Sequence, residues 1–119
     1  MAPVARVFVY GTLMPGRSRW PALEPYATGW APAIASGRLW DTGRGYPAVR
    51  FDHEGVAVPG VVVTLEPEAA PDVIARLDGI EAEGVLYRRV EVDTSAGRAV
   101  SYEWIGSTDG LVPLPDGWT

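Results

Sequence analysis

The chain has no cysteine, no lysine and a single histidine, His53. Without cysteine there are no disulfides, no thiolate metal ligands and no thiol nucleophile. Without lysine there is no Schiff-base chemistry and no phosphate-binding lysine of a Walker loop. One histidine does not build a three-ligand zinc site, and His53 stands in the polar stretch Phe51-Asp52-His53-Glu54-Gly55, which reads as a loop. Neither a metal nor a cofactor is therefore expected. Long apolar runs are missing as well: a stretch such as Val61-Val62-Val63 falls far short of the roughly 20 residues of a membrane span. No segment combines the charged, apolar and cleavage regions of a secretory signal, so no membrane association and a cytoplasmic location are expected. Basic clusters are absent too, because the ten basic residues are all arginine, scattered through a chain of net charge -5. Nucleic acid, which demands a concentrated basic surface, is not expected as a partner. In an enzyme so composed, proton transfer falls to a carboxylate or a tyrosine.

What remains describes one globular domain. At 119 residues, with 47% apolar and 21% charged residues, the chain is of a size to fold around one core, spanning residues 1-119. Nothing in it speaks to oligomeric state. Val4 to Tyr10 is rich in β-branched and aromatic residues and reads as a strand. Gly29 to Trp40 is a second, interrupted or edged at Pro32. Gly43 to Pro47 turns into a short extended piece, Ala48-Val49-Arg50, and Pro59 to Leu65 is a central strand. Glu68 to Gly79 is predicted as a helix, with Glu66, Glu68 and Asp72 at its positive end, Val73, Ile74, Leu77 and Ile80 in a stripe, and Gly79 as its stop. Leu86 to Val92 and Arg98 to Ile105 form a hairpin through Ser95-Ala96-Gly97, and Asp109 to Thr119 is an irregular tail. Six strands and one or two helices in this order make an α+β domain whose largely antiparallel sheet curls around a core.

The first strand runs into Tyr10-Gly11-Thr12-Leu13-Met14-Pro15-Gly16. Gly11 and Gly16 stand five apart as in a phosphate loop, but Arg17-Ser18 follows where such a loop needs Lys-Ser/Thr. Gly11 frees the backbone for close approach or positive φ, and successive amides turning there form a concavity suited to a carboxylate. Tyr10 adds an aromatic wall and Thr12 a hydroxyl. Taken alone, these residues also fit a plain turn at a strand end.

Tyr10-Gly11-Thr12-Leu13 resembles the signature of the γ-glutamylcyclotransferase-like proteins, which include the plant AIG2-like proteins and the γ-glutamylamine cyclotransferases. Four further segments match in order: Gly37-Arg38-Leu39-Trp40-Asp41 with Gly45-Tyr46-Pro47-Ala48-Val49; Val58-Pro59-Gly60-Val61-Val62; Leu77-Asp78-Gly79-Ile80-Glu81 with Tyr87-Arg88-Arg89; and Ala99 to Trp104 with Asp116-Gly117-Trp118. The resemblance implies a small mixed β-barrel with few helices. It further implies that the backbone of residues 10-13 holds the glutamyl part of a substrate and that the glutamate of the fourth segment, Glu81, is the acid/base. The family pattern often has glycine directly after that glutamate, whereas Ala82-Glu83-Gly84 follows here, so Glu83 is the alternative. Counting from Leu77-Asp78 favours Glu81. Without the resemblance, both read as solvated loop acids.

The chemistry implied is lactam formation. The free α-amine of a γ-glutamyl compound attacks its own side-chain amide carbonyl, closing 5-oxoproline and expelling an amine. Holding the chain folded supplies up to ~7–11 kcal/mol in ideal cases. One carboxylate serves both nitrogens, deprotonating the α-ammonium and protonating the departing amine. For Glu81, the negative end of the predicted helix and its neighbours Leu77 and Ile80 disfavour ionisation and raise the pKa. The amides of Gly11, Thr12 and Leu13 are assigned to the substrate's α-carboxylate or its scissile carbonyl. Tyr87 is expected to line the pocket or to hydrogen-bond the substrate or Glu81, and Tyr46-Pro47 to form a rim, with Tyr46 alternatively capping the core. Only one of Arg88 and Arg89 can point inward, and Trp20, Trp30, Trp40 and Trp104 are expected to pack the core or rim. Other readings are a non-catalytic small-ligand binding module, removal of a γ-glutamyl group from a specialised metabolite, and a purely structural barrel that binds a partner.

Overall fold

The computed structural model describes residues 5–52, 55–80 and 86–118. Strand β1, Arg6–Val9, carries three successive buried residues, Val7, Phe8 and Val9. Such a run is what a strand covered on both faces requires. Its alternation separates two cores, since Val7 and Val9 belong to one apolar cluster and Phe8 and Tyr10 to another.

After two short 3-10 turns at Trp20–Ala22 and Glu24–Tyr26 comes β2, Ala27–Asp41. It runs without a break through Pro32, which pairs with Val61. The next strand, β3 (Pro47–Phe51), flanks β2 only from Gly37 to Asp41. Pro32 thus lies where β2 has a strand on one side alone, a position that tolerates proline. Strand β4, Val56–Leu65, begins before Pro59 and lies between β2 and β1. Helix α1 (Ala70–Ile80) is followed by β5 (Tyr87–Thr94), β6 (Gly97–Trp104) and a two-residue strand β7 (Val112–Pro113).

Among the described residues these strands form one sheet in the order β3-β2-β4-β1-β6-β5, with β7 beside β2. All pairings are antiparallel except β1 with β6. The sheet curls until its ends meet. At one point the Ser95 N–H donates to the Ile34 carbonyl at 3.0 Å and the Ile34 N–H to Ser95 Oγ at 2.9 Å. At another the Phe51 N–H donates to Glu103 Oε2 at 2.9 Å and the Arg50 guanidinium to the Gly106 carbonyl at 2.6 Å. The result is the nearly closed, mainly antiparallel barrel of an α+β domain. Phe8, Leu39, Val49, Val58 and Val62 fill the enclosed face. Ala70, Val73 and Leu77 of α1 pack on Val7, Val63 and Leu65, and each buried Val or Leu contributes about 1.5–3 kcal/mol.

Three expectations need correction. Gly79 does not stop the helix, which continues to Ile80; its φ is not positive and a Cβ there would meet nothing within 4 Å. The tail is not wholly irregular, because Val112 and Pro113 pair with Asp41 and Trp40. Trp30 is not core: it is 54% exposed and lies edge-on to Trp20 at 5.1 Å. No helix among the described residues is long and apolar enough to cross a membrane. His53, Glu81 and Glu83 lie outside the described residues.

Candidate functional site

At the end of β1 the chain folds into a tight turn, in which the Met14 N–H donates to the Gly11 carbonyl at 3.0 Å. The turn is held from two sides. The Tyr10 phenol donates to the Tyr102 carbonyl of β6 at 2.5 Å, and the Arg19 N–H donates to the Thr12 carbonyl at 2.8 Å. Gly11 serves close approach and not positive φ: a Cβ here would stand 2.6 Å from Cγ of Pro47. Among the described residues, none accepts a hydrogen bond from the N–H groups of Gly11, Thr12 or Leu13. Three consecutive main-chain donors without an internal acceptor are what an anion-binding turn presents.

These residues form one wall of a cavity of about 80 Å³. Tyr46 and Pro47 at the start of β3, Tyr87 of β5 and Tyr102 of β6 supply further walls. Ile80, at the end of α1, and Leu86, just before β5, also line it, as does the exposed Arg19. Of the residues singled out in the sequence, Tyr10, Gly11, Thr12, Leu13, Pro47 and Tyr87 are all in this lining. The sixth, Tyr87, has a structural duty as well, since its phenol donates to the Pro47 carbonyl at 2.5 Å. Its ring lies edge-on to Trp104 at 5.4 Å and to Tyr46 at 6.5 Å.

Helix α1 is fastened to the sheet beside the cavity. The Tyr102 phenol donates to Asp78 Oδ1 at 2.6 Å, with the Ile74 carbonyl 3.3 Å away, and Arg89 pairs with Asp78 Oδ2 at 2.7 Å. Arg88 pairs with Glu103 at 2.6 Å. Alternation allows one of the two to point inward, and neither does; both are exposed. β5 is the last strand of the sheet, and long arginine stems reach past its margin to carboxylates on β6 and α1.

Tyr102 and Arg19 line the cavity without a site role legible in the sequence. Tyr102 sits within the apolar alternation of β6, and only the position of α1 shows that its phenol leaves the core to meet Asp78. Arg19 is one of several charges in a loop, and its place at the cavity follows from its bond to Thr12. Among the described residues, no three imidazole or carboxylate groups converge in a way that could hold a metal ion.

Known proteins resemble the chain in family and in fold. The family model described as gamma-glutamyl cyclotransferase, AIG2-like, matches residues 7–118. No curated protein matches the chain. Among solved structures, an uncharacterised protein of Pyrococcus horikoshii is 25% identical with a TM-score of 0.71, the match covering 93% of this chain and 86% of that one. The protein ytfP of Escherichia coli is 28% identical with a TM-score of 0.64, over 95% of this chain and 94% of its own. An AIG2-like protein of Mus musculus shares the fold at 15% identity, with a TM-score of 0.70 over 94% of this chain and 86% of that one.

Proposed function

Since the chain belongs to the gamma-glutamyl cyclotransferase, AIG2-like family, we propose that it converts a γ-glutamyl compound into 5-oxoproline and a free amine, with Glu81 as the acid/base. The observation that carries this reading is the cavity between the Tyr10 to Leu13 turn and Ile80. Ile80 directly precedes Glu81 in the chain, and Leu86 closes the same sequence interval from the other side.

On this reading the glutamyl α-carboxylate is received by the N–H groups of Gly11, Thr12 and Leu13, where charge-assisted bonds to backbone amides are strong. The Pro47 and Tyr87 walls keep the glutamyl chain bent, so that its α-nitrogen faces its own amide carbonyl. The carboxylate of Glu81 takes a proton from the α-ammonium. The freed nitrogen bonds to the carbonyl carbon, and the bond from that carbon to the departing nitrogen breaks as that nitrogen receives the proton. The second proton shed by the cyclising nitrogen follows through the same carboxylate, so the products are the neutral lactam and the ammonium form of the departing amine. No atom is gained or lost, and the carboxylate ends as it began. General acid–base catalysis of this kind is worth ~10²–10⁴-fold, while the turn amides and the walls account for orientation.

The test is incubation with a panel of γ-glutamyl amino acids and amines, following 5-oxoproline, for the wild type, Glu81→Gln and Glu83→Gln. Glu81→Gln is expected to lose at least ~100-fold in turnover while still binding ligand, and Glu83→Gln to stay active. Equal turnover by Glu81→Gln and wild type refutes the assignment. Binding of γ-glutamyl compounds with no 5-oxoproline from any of them replaces the enzyme by a binding module of the same fold.

A further inference from the structure

The cavity is small for a whole substrate. At ~10–15 Å³ of such volume for each water-sized group, its 80 Å³ fits a bent glutamyl head and leaves little for whatever the head is attached to. The remainder of a ligand must extend past the mouth. There a shallower groove of about 330 Å³, lined by Ser18, Arg19, Pro21, Ala22 and Ile80, shares Arg19 and Ile80 with the cavity.

Arg19 stands at this junction on a fixed backbone. Its N–H donates to the Thr12 carbonyl at 2.8 Å, and its carbonyl accepts from the Ala22 N–H at 3.0 Å. Among the described residues its guanidinium reaches the Ile80 carbonyl, at 3.5 Å. Among the described residues it pairs with no carboxylate, in common with every arginine except Arg88, Arg89 and Arg98, and it is the arginine that lines the cavity. A cation so placed, in a chain of net charge -5, is arranged for an anion from outside, and the planar guanidinium fork matches a carboxylate. The groove beyond it is apolar at Pro21, Ala22 and Ile80.

The turn amides already provide for the α-carboxylate of the glutamyl head, so a second anion must belong to the departing group. We infer that Arg19 selects γ-glutamyl compounds whose leaving group carries a carboxylate, which means γ-glutamyl amino acids over γ-glutamyl amines; this rests on the cyclotransferase reading above.

The test compares γ-glutamylalanine with γ-glutamylethylamide, which differ by one carboxylate. Wild type is expected to favour γ-glutamylalanine in kcat/KM, and Arg19→Gln to lower the ratio of the two by about threefold to fivefold, an effect of the size of an exposed charge pair. A ratio unchanged by the substitution overturns the inference. Calorimetry with the same two compounds keeps this failure apart from that of the reaction itself. A binding preference for γ-glutamylalanine that Arg19→Gln removes supports Arg19 even where no 5-oxoproline forms. Equal affinity of the wild type for both compounds, or binding of neither, overturns it.

Discussion

Gly11 and Pro47 meet where no side chain fits between them: a Cβ on Gly11 would stand 2.6 Å from Cγ and 2.7 Å from Cδ of the proline ring. Pro47 in turn offers its carbonyl to Tyr87. The end of β1, the start of β3 and the start of β5 are thereby locked around one side of the cavity.

Gly11→Ala is accordingly expected to destabilise the fold by about 1–3 kcal/mol, the usual cost of forcing atoms into a packed site. Urea denaturation measures it. A change under ~0.5 kcal/mol, the size of an ordinary surface substitution, would mean that the proline ring moves aside freely.

Tyr87→Phe keeps the ring contacts with Tyr46 and Trp104 and removes the donor from the carbonyl of buried Pro47. Leaving a buried acceptor without that bond costs about 1–3 kcal/mol, so a lower melting temperature is expected in a thermal scan. A melting temperature equal to the wild type's would show that water satisfies the carbonyl equally well.

Asp78 ties the end of α1 to two strands through Tyr102 and Arg89. Asp78→Ala is expected to cost about 1–2 kcal/mol and Asp78→Asn, which keeps an acceptor for the phenol, less than half as much. The Arg89 share is small because that pair is solvent-exposed, and a double-mutant cycle with Arg89→Gln should give under ~1 kcal/mol at low salt and less at high salt. A coupling that ignores salt would show the ion pair to be shielded from solvent.

Much of the fold is legible in local chemistry. The β-branched run before Tyr10 has to be a strand, and the stripe Val73, Ile74, Leu77 and Ile80 has to be one helix face, because residue size and period fix them without reference to the rest of the chain. Where local chemistry is silent, reading fails. Val112 and Pro113 become a strand only because Trp40 and Asp41 offer an edge to pair with. Trp30 looks like core by its size, yet its place on β2 faces outward. Arg88 and Arg89 obey the alternation of a strand, but their stems are long enough for both heads to reach carboxylates at the surface.

The site divides in the same way. The lack of cysteine and lysine already removes thiols and side-chain ammonium groups from proton transfer, because only groups that are present can titrate, and leaves carboxylates, phenols and the single imidazole of His53. The glycine after Tyr10 already marks a place of close backbone approach. Which residues share one cavity is another matter: positions 10 to 13, 19, 46, 47, 80, 86, 87 and 102 are brought together by strand pairing and by closure of the sheet. Pairing register and closure arise from contacts between segments tens of residues apart, and no local propensity encodes them. For that reason the turn is visible in the sequence, while Arg19 at the junction of cavity and groove emerges only from the folded chain.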